Sequence, residues 1–382
     1  MPPMPRNLIC LTLATLMVAG QMAPAPLLAK PAASDQKAPA DATGWMRLDP
    51  KMDRFIADLM AKMTLDEKVG QLNLLTSNWE STGPTMRDSY KEDVRAGRVG
   101  AIFNAYTAKY TRELQALAVE GTRLKIPLIF GYDVIHGHRT IFPISLGEAA
   151  SWDLQAIEKA ARISSIEAGA DGIHWTFSPM VDIAREARWG RISEGAGEDV
   201  YLGSLIAKAR VRGYQGDDLS RPDTILATAK HFAAYGAAQA GRDYHTVDIS
   251  ERTLRDIYLP PFKAAADAGA ATFMTSFNEY DGVPASGNHY LLTDVLREKW
   301  GFKGFVVTDY TSINEMVPHG YSKDLKQAGE QAINAGVDMD MQGAVYMENL
   351  AKSVTEGKVD IKRVDAAVKS ILKMKYRLGL FV

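Results

Sequence analysis

The sequence predicts an α/β fold, a closed (β/α)8 TIM barrel, and three observations predict it. Short apolar or β-branched runs alternate with amphipathic segments along the chain, the pattern of a parallel sheet covered by helices. There are eight such runs, the number that closes a barrel. The 382 residues, 46% hydrophobic and 24% charged, have ordinary globular composition and enough length for a barrel of ~250 residues with insertions. An open doubly wound sheet is the alternative. No Gly-x-Gly-x-x-Gly turn follows an early strand, so dinucleotide binding has little support.

Taken in order, the chain opens with Arg6, an apolar run from Leu8 to Ala19, then small residues and prolines. That is the build of a secretory signal peptide, and the run is too short to span a bilayer. A signal over 1–29, cleaved after Ala29, and a flexible Ala/Pro/Asp-rich linker over 30–44 are expected, with one domain from 45 to 382. Cys10 is the single cysteine, so the mature protein would carry no thiol, which suits a periplasmic or secreted location. Strands are expected at 71–75, 99–103, 127–133, 173–179, 225–232, 271–277, 304–309 and 337–341. Helices, with apolar residues at three- and four-residue spacing, are expected at 154–170, 202–216, 251–268 and 324–335.

In such a barrel the functional site forms at the C-terminal ends of the strands. Asp133 ends the third run, Lys230 and His231 the fifth, and Asp309 the seventh; Met274 and Ser276 lie on the sixth, and Asp338 and Asp340 on the eighth. The long loop after the fourth holds Arg185, Arg188, Trp189, Arg191, Glu194, Glu198 and Asp199. A ring of carboxylates with one Lys–His pair and several arginines suits a neutral ligand rich in hydroxyls. The formal net charge of −2 offers no basic field for nucleic acid and no polybasic membrane stripe. Phosphate would want a Gly-rich loop feeding a helix, and a metal would want clustered ligands, whereas the seven histidines are scattered. No cofactor and no metal are expected.

Five motifs occur in order: Met63-Thr-Leu-Asp-Glu-Lys-Val-Gly-Gln71, Tyr132-Asp133-Val-Ile-His136-Gly137, Arg188-Trp-Gly-Arg191 followed by Glu194-Gly-Ala-Gly-Glu-Asp199, Ala229-Lys230-His231-Phe232, and Gly301-Phe-Lys-Gly-Phe-Val-Val-Thr-Asp309. Together they resemble the successive signatures of family 3 glycoside hydrolases over roughly residues 50–381. Phe142-Pro-Ile-Ser-Leu-Gly147 and Ala233-Ala-Tyr-Gly236 resemble the bacterial periplasmic β-glucosidase type. The resemblance implies a β-glucosidase that hydrolyses terminal non-reducing β-D-glucosyl residues from oligosaccharides or glucosides with retention. It implies Asp309 as nucleophile, and Asp133, Arg191, Lys230 and His231 as partners of the sugar hydroxyls. Met274 would line the same subsite.

Each assignment has a bland competitor. Asp309 could cap the next helix, Lys230 and Asp133 could form a structural ion pair, and His231 could be a satisfied core histidine. Glu194, Glu198 and Asp199 could buttress their loop through the arginines. Trp152, Trp175 and Trp189 could stack on sugar rings or belong to the core. A retaining glycosidase also needs an acid/base carboxyl about 5–5.5 Å from the nucleophile. In β-glucosidase members of the family it comes from a second α/β domain. The sequence stops at Leu378-Gly-Leu-Phe-Val382, so the resemblance implies that this domain and its acid/base are absent from the chain. A barrel-only branch uses an Asp-x-His dyad instead, a spacing met by Asp243 and His245. β-Xylosidase, β-N-acetylglucosaminidase, phosphorylase and a sugar-binding barrel without efficient turnover remain alternatives.

Overall fold

The computed structural model describes residues 44–79 and 87–381. The expected signal peptide, Cys10 and the linker up to residue 43 lie outside the described residues. The eight expected strands are all present: β1 (Asn73–Thr76), β2 (Ala101–Phe103), β3 (Ile129–Tyr132), β4 (Trp175–Thr176), β5 (Thr228–Phe232), β6 (Thr272–Thr275), β7 (Phe305–Val307) and β8 (Asp340–Met341). Each is shorter than its apolar run; the first, fifth and eighth begin later than their runs, and the third and seventh both begin later and end earlier.

The strands form two parallel arcs, β8-β1-β2-β3-β4 and β5-β6-β7. Isolated parallel bridges join them. Trp175 pairs with Leu226 and Met180 with Lys230 between β4 and β5, and Val307 pairs with Met339 between β7 and β8. The sheet is therefore closed, as expected. Nearly every strand residue is buried, as a sheet lined on one face by barrel contents and on the other by helices requires. Inside, the Trp175 indole N–H is shared between the hydroxyls of Thr228 (2.7 Å) and Thr272 (3.0 Å). Its rings meet Phe177 and Phe305 edge-on, at 4.8 and 5.1 Å. One side chain from β4 thus touches β5, β6 and β7.

The outer helices follow their caps. Leu154–Ala170 has the expected bounds and begins at Asp153, whose carboxylate accepts from Ala156 N at 2.9 Å. The helix expected at 202–216 runs Val200–Gln215, because Asp199 caps it by accepting from Leu202 N at 2.7 Å. Leu325–Ala335 is capped by Asp324 and stops at Gly336, whose φ of +128° favours glycine. The helix expected at 251–268 is corrected. It is Glu251–Thr253, a π-helical turn Leu254–Tyr258 and Pro260–Asp267. Pro260 and Pro261 have no N–H to continue an α ladder, and the chain widens so that Leu259 N reaches Leu254 O at 2.9 Å.

The first motif is structural. Thr64 and Glu67 form a capping box, and Gln71 accepts from the fully buried Lys375 of helix Ile361–Arg377 at 2.6 Å. The two aspartates at β8 also serve the fold. Asp340 accepts from Val345 N (2.7 Å) and Tyr346 N (3.3 Å), holding the start of the last-but-one helix. The buried Asp338 takes Val306 N at 2.8 Å and Arg363 at 3.0 Å, and pairs with Arg297. Replacing Asp338 by Ala strips two guanidiniums and a backbone N–H of their common acceptor. The expected loss is about 3–5 kcal/mol, the cost of breaking a buried ion pair from one side, read as a shift in urea midpoint at constant m. A loss below about 1 kcal/mol would show that solvent already screens this pair.

Candidate active site

The mouth is assembled from the ends of β3, β5 and β7 and the loop after β4. Lys230 and His231 sit where the β5–β6 ladder shifts register, between Ala229 and Phe232, an irregularity of the kind found beside active sites. Lys230 is buried, and its ammonium lies 3.7 Å from Asp133, just past β3, and 3.8 Å from Glu194. Arg191 and Glu194 form a two-pronged pair at 2.7 and 3.0 Å across the short turn Ile192–Glu194. The guanidinium of Arg191 also approaches His231 Nε2 at 3.0 Å and stands over the Tyr235 ring.

His231 is fully buried and its orientation is set from behind. One carboxylate oxygen of Asp182 accepts both the backbone N–H of His231 (2.8 Å) and its Nδ1–H (2.9 Å). That bond assigns the proton to Nδ1 and leaves the Nε2 lone pair for Arg191. Burial, then the charges of Arg191 and Lys230, hold the imidazole far below its ordinary pKa, so the ring stays neutral. Burial lifts Asp182 to about 7. Asp182 was not singled out from sequence, since one aspartate after Ser178-Pro-Met-Val carries no pattern. The signal available was indirect, because a buried histidine requires a group to orient it.

Asp309 follows β7 by two residues. Its Oδ1 accepts from Tyr310 N at 2.7 Å, and its Oδ2 lies 3.4 Å from His231 Nε2. Oδ2 is buried and has no hydrogen-bond donor among the described residues. It does not cap the following helix, Ser312–Glu315, which begins at Thr311. Burial raises the carboxyl to about 6 against the lowering pull of Arg191 and Lys230, with Asp133 adding a smaller upward push. Met274 is buried on β6, level with Val307 of β7 and on the same face as Thr272, whose hydroxyl meets Trp175. It lies in the packed layer two residues before Asp309.

Asp133, Arg191, Lys230, His231 and Asp309 therefore converge. Other sequence candidates do not. Trp175 is core. Trp189 is buried against Met180, Tyr235 and Phe277, with its indole N–H on Asp243 at 2.9 Å. Trp152 is an exposed residue on the turn before Leu154–Ala170. Asp243 serves Trp189 while the His245 side chain is exposed. Within the loop signature, Glu194 braces Arg191 and Asp199 caps a helix. Arg188 pairs with Glu186 on the surface.

The strand ends of a parallel eight-stranded barrel, where such folds place their functional sites, gather carboxylates, a neutral imidazole and two cations here. The family follows from comparison. Residues 64–374 match the family model described as the glycosyl hydrolase family 3 N terminal domain, and the chain belongs to that family. It is 44% identical over 330 residues to a periplasmic beta-glucosidase of Salmonella typhimurium, covering 86% of this chain and 42% of that protein. It is 33% identical to a beta-xylosidase of Formosa agariphila, over 87% of this chain and 43% of that one. The crystal structure of a Listeria innocua beta-glucosidase in complex with glucose superposes with a TM-score of 0.81 at 39% identity, over 86% of this chain and 47% of that one. The chain spans less than half the length of these relatives.

The raised pKa of Asp309 has a consequence for stability. Between about pH 4 and 6 the folded protein keeps a proton that the unfolded chain releases, so this group's contribution to stability falls as pH rises through that window. Asp309→Asn removes the titration. The variant is expected to melt higher than the parent above pH 6, with the difference vanishing near pH 4. An equal difference at both pH values would show that the asparagine acts through packing alone.

Proposed function

We propose that this chain carries the glycone site of a retaining enzyme that hydrolyses terminal non-reducing β-D-glucosyl residues from oligosaccharides or glucosides, with Asp309 as nucleophile. The observation that carries the reading is the buried, donor-free Oδ2 of Asp309 at the focus of His231, Arg191 and Lys230. In the first step that oxygen bonds to the anomeric carbon as the bond to the leaving oxygen breaks, and the leaving oxygen takes its proton from a general acid, which the family resemblance places on a second α/β domain. In the second, water cleaves the glycosyl ester and restores the carboxylate. Asp133 and Glu194 accept from sugar hydroxyls while Lys230 and Arg191 donate. His231, locked by Asp182, presents a fixed edge, and Met274 forms part of the floor. These groups are already in place before substrate arrives, so little orientation has to be paid for at the reaction step. The likeness to proteins named β-glucosidases and to a glucose complex supports glucose as the glycone. The likeness to a β-xylosidase makes xylose the competing glycone. A panel of aryl glycosides differing only in that sugar separates the two. We further infer export to the periplasm, supported by the amino-terminal apolar run and the periplasmic relative; no helix among the described residues is long and apolar enough to cross a membrane.

Two experiments test the site. A 2-deoxy-2-fluoro glucoside with a dinitrophenyl leaving group needs no general acid, so trapping depends on the nucleophile. Peptide mapping should find the label on Asp309 and none on the Asp309→Asn protein; a label on another carboxylate removes Asp309 from this role. Lys230→Ala should weaken glucose binding at least tenfold in calorimetry, since a hydrogen bond to a charged group is worth about 1.5–3 kcal/mol. Unchanged affinity would make the contacts of Lys230 with Asp133 and Glu194 purely structural.

A further inference from the structure

At the end of the barrel opposite the mouth, helices Pro50–Met60 and Ile361–Arg377 and the turn before β7 border a cavity of about 430 Å³. Phe302 and Lys303 on its wall precede β7, whereas Asp309 follows that strand. The volume falls in the range of small-ligand pockets. Six cationic side chains and two carboxylates line it, on a chain whose formal net charge is −2.

The two carboxylates are already taken. Asp49 accepts from Lys51 N (3.1 Å) and Met52 N (3.0 Å) and pairs with Arg377 at 3.3 Å. Asp53 faces Lys373 at 3.6 Å. Arg297 is committed to the buried Asp338. That leaves Arg47, Lys303 and Lys369, all exposed, whose side chains make no ion pair or hydrogen bond among the described residues. Lys369, Lys373 and Arg377 stand at four-residue spacing on one stripe of their helix, where like charges repel. The helix dipole compensates the last turn only, and Lys369 lies two turns back.

The rest of the lining is apolar. Met52, Phe302 and Met374 are buried, and the indole N–H of Trp45 is taken by Gly269 O at 2.7 Å, so these walls offer a ligand no donor. Leu48 lines the same cavity and is 95% exposed. The carboxylates that a neutral sugar would use are spent, and a metal cation would be repelled. An organic anion satisfies both halves of the lining. Its charged group meets the ammonium and guanidinium groups, and its apolar body covers Leu48 and the buried walls.

We propose that this cavity binds a small organic anion, a phosphate or carboxylate carried on an apolar body, with Arg47, Lys303 and Lys369 as its charged partners. The assignment is independent of the glucosidase reading, since the cavity shares no residue with the mouth.

The test is calorimetry with phenyl phosphate and with benzoate, in low salt where exposed charges are least screened. At least one of the two should bind saturably, one per chain, and at least tenfold more tightly than inorganic phosphate, which lacks the apolar body, or benzyl alcohol, which lacks the charge. The double variant Lys303→Gln/Lys369→Gln should weaken that binding about tenfold or more, the scale of a hydrogen bond to a charged group. Its thermal melt should hold, because neither lysine is buried or paired. Leu48→Ser should narrow the advantage over inorganic phosphate. The assignment is overturned by absence of saturable binding, by equal binding of inorganic phosphate or benzyl alcohol, or by a double variant that binds like the parent. A Leu48→Ser protein that keeps the full advantage overturns it too. So does capture by phosphatidylglycerol vesicles, lost in the double variant, when neither small anion binds; the cations would then serve a membrane surface.

Discussion

Closure of the barrel is the constraint on which the rest depends. A parallel sheet gains no stability from an open edge and must bury both faces. Here the two arcs meet through isolated bridges rather than long ladders, and side-chain packing inside completes the joint. Trp175 does most of this from one position, hydrogen-bonded to threonines of β5 and β6 and packed on Phe305 of β7. If β4 and β5 separated at that seam, Lys230 and His231 would move away from Arg191 and Asp182, because Lys230 is itself paired with Met180 across it. Fold and site therefore share a boundary.

The second constraint is electrostatic. Several acids share a mouth with two cations, and each desolvated carboxylate would rather be neutral. Arg191 and Lys230 offset that preference only in part, which leaves Asp309 raised to about 6. The residue most important for the proposed chemistry is also one the folded state does not favour in its charged form. Glu194 and Asp182 stabilise the arrangement from behind. One fixes the guanidinium of Arg191, the other fixes the tautomer and angle of His231. Under the proposed reading, a sugar hydroxyl meets groups whose directions are already set, and differences in glycone affinity reflect hydroxyl geometry more than loop adjustment.

The sequence by itself determined the barrel, because eight strands buried on both faces must be written as eight apolar runs, and the polar residues that end them must face the mouth. Asp133, Lys230, His231 and Asp309 were legible for that reason, and Arg191 through its motif. Tertiary structure decided what local pattern does not encode. It placed Trp175 and Trp189 in packed interiors, because an indole's exposure depends on what the rest of the chain lays over it. It split the helix at 251–268 at a proline pair. It gave Asp338 and Asp340 to the fold and Asp243 to an indole, and it brought Asp182 behind His231 across 49 residues of chain. Which carboxylates are paired is a property of three-dimensional neighbours, and an aspartate or glutamate reads the same in sequence whether it caps a helix, clamps an arginine or waits for a ligand.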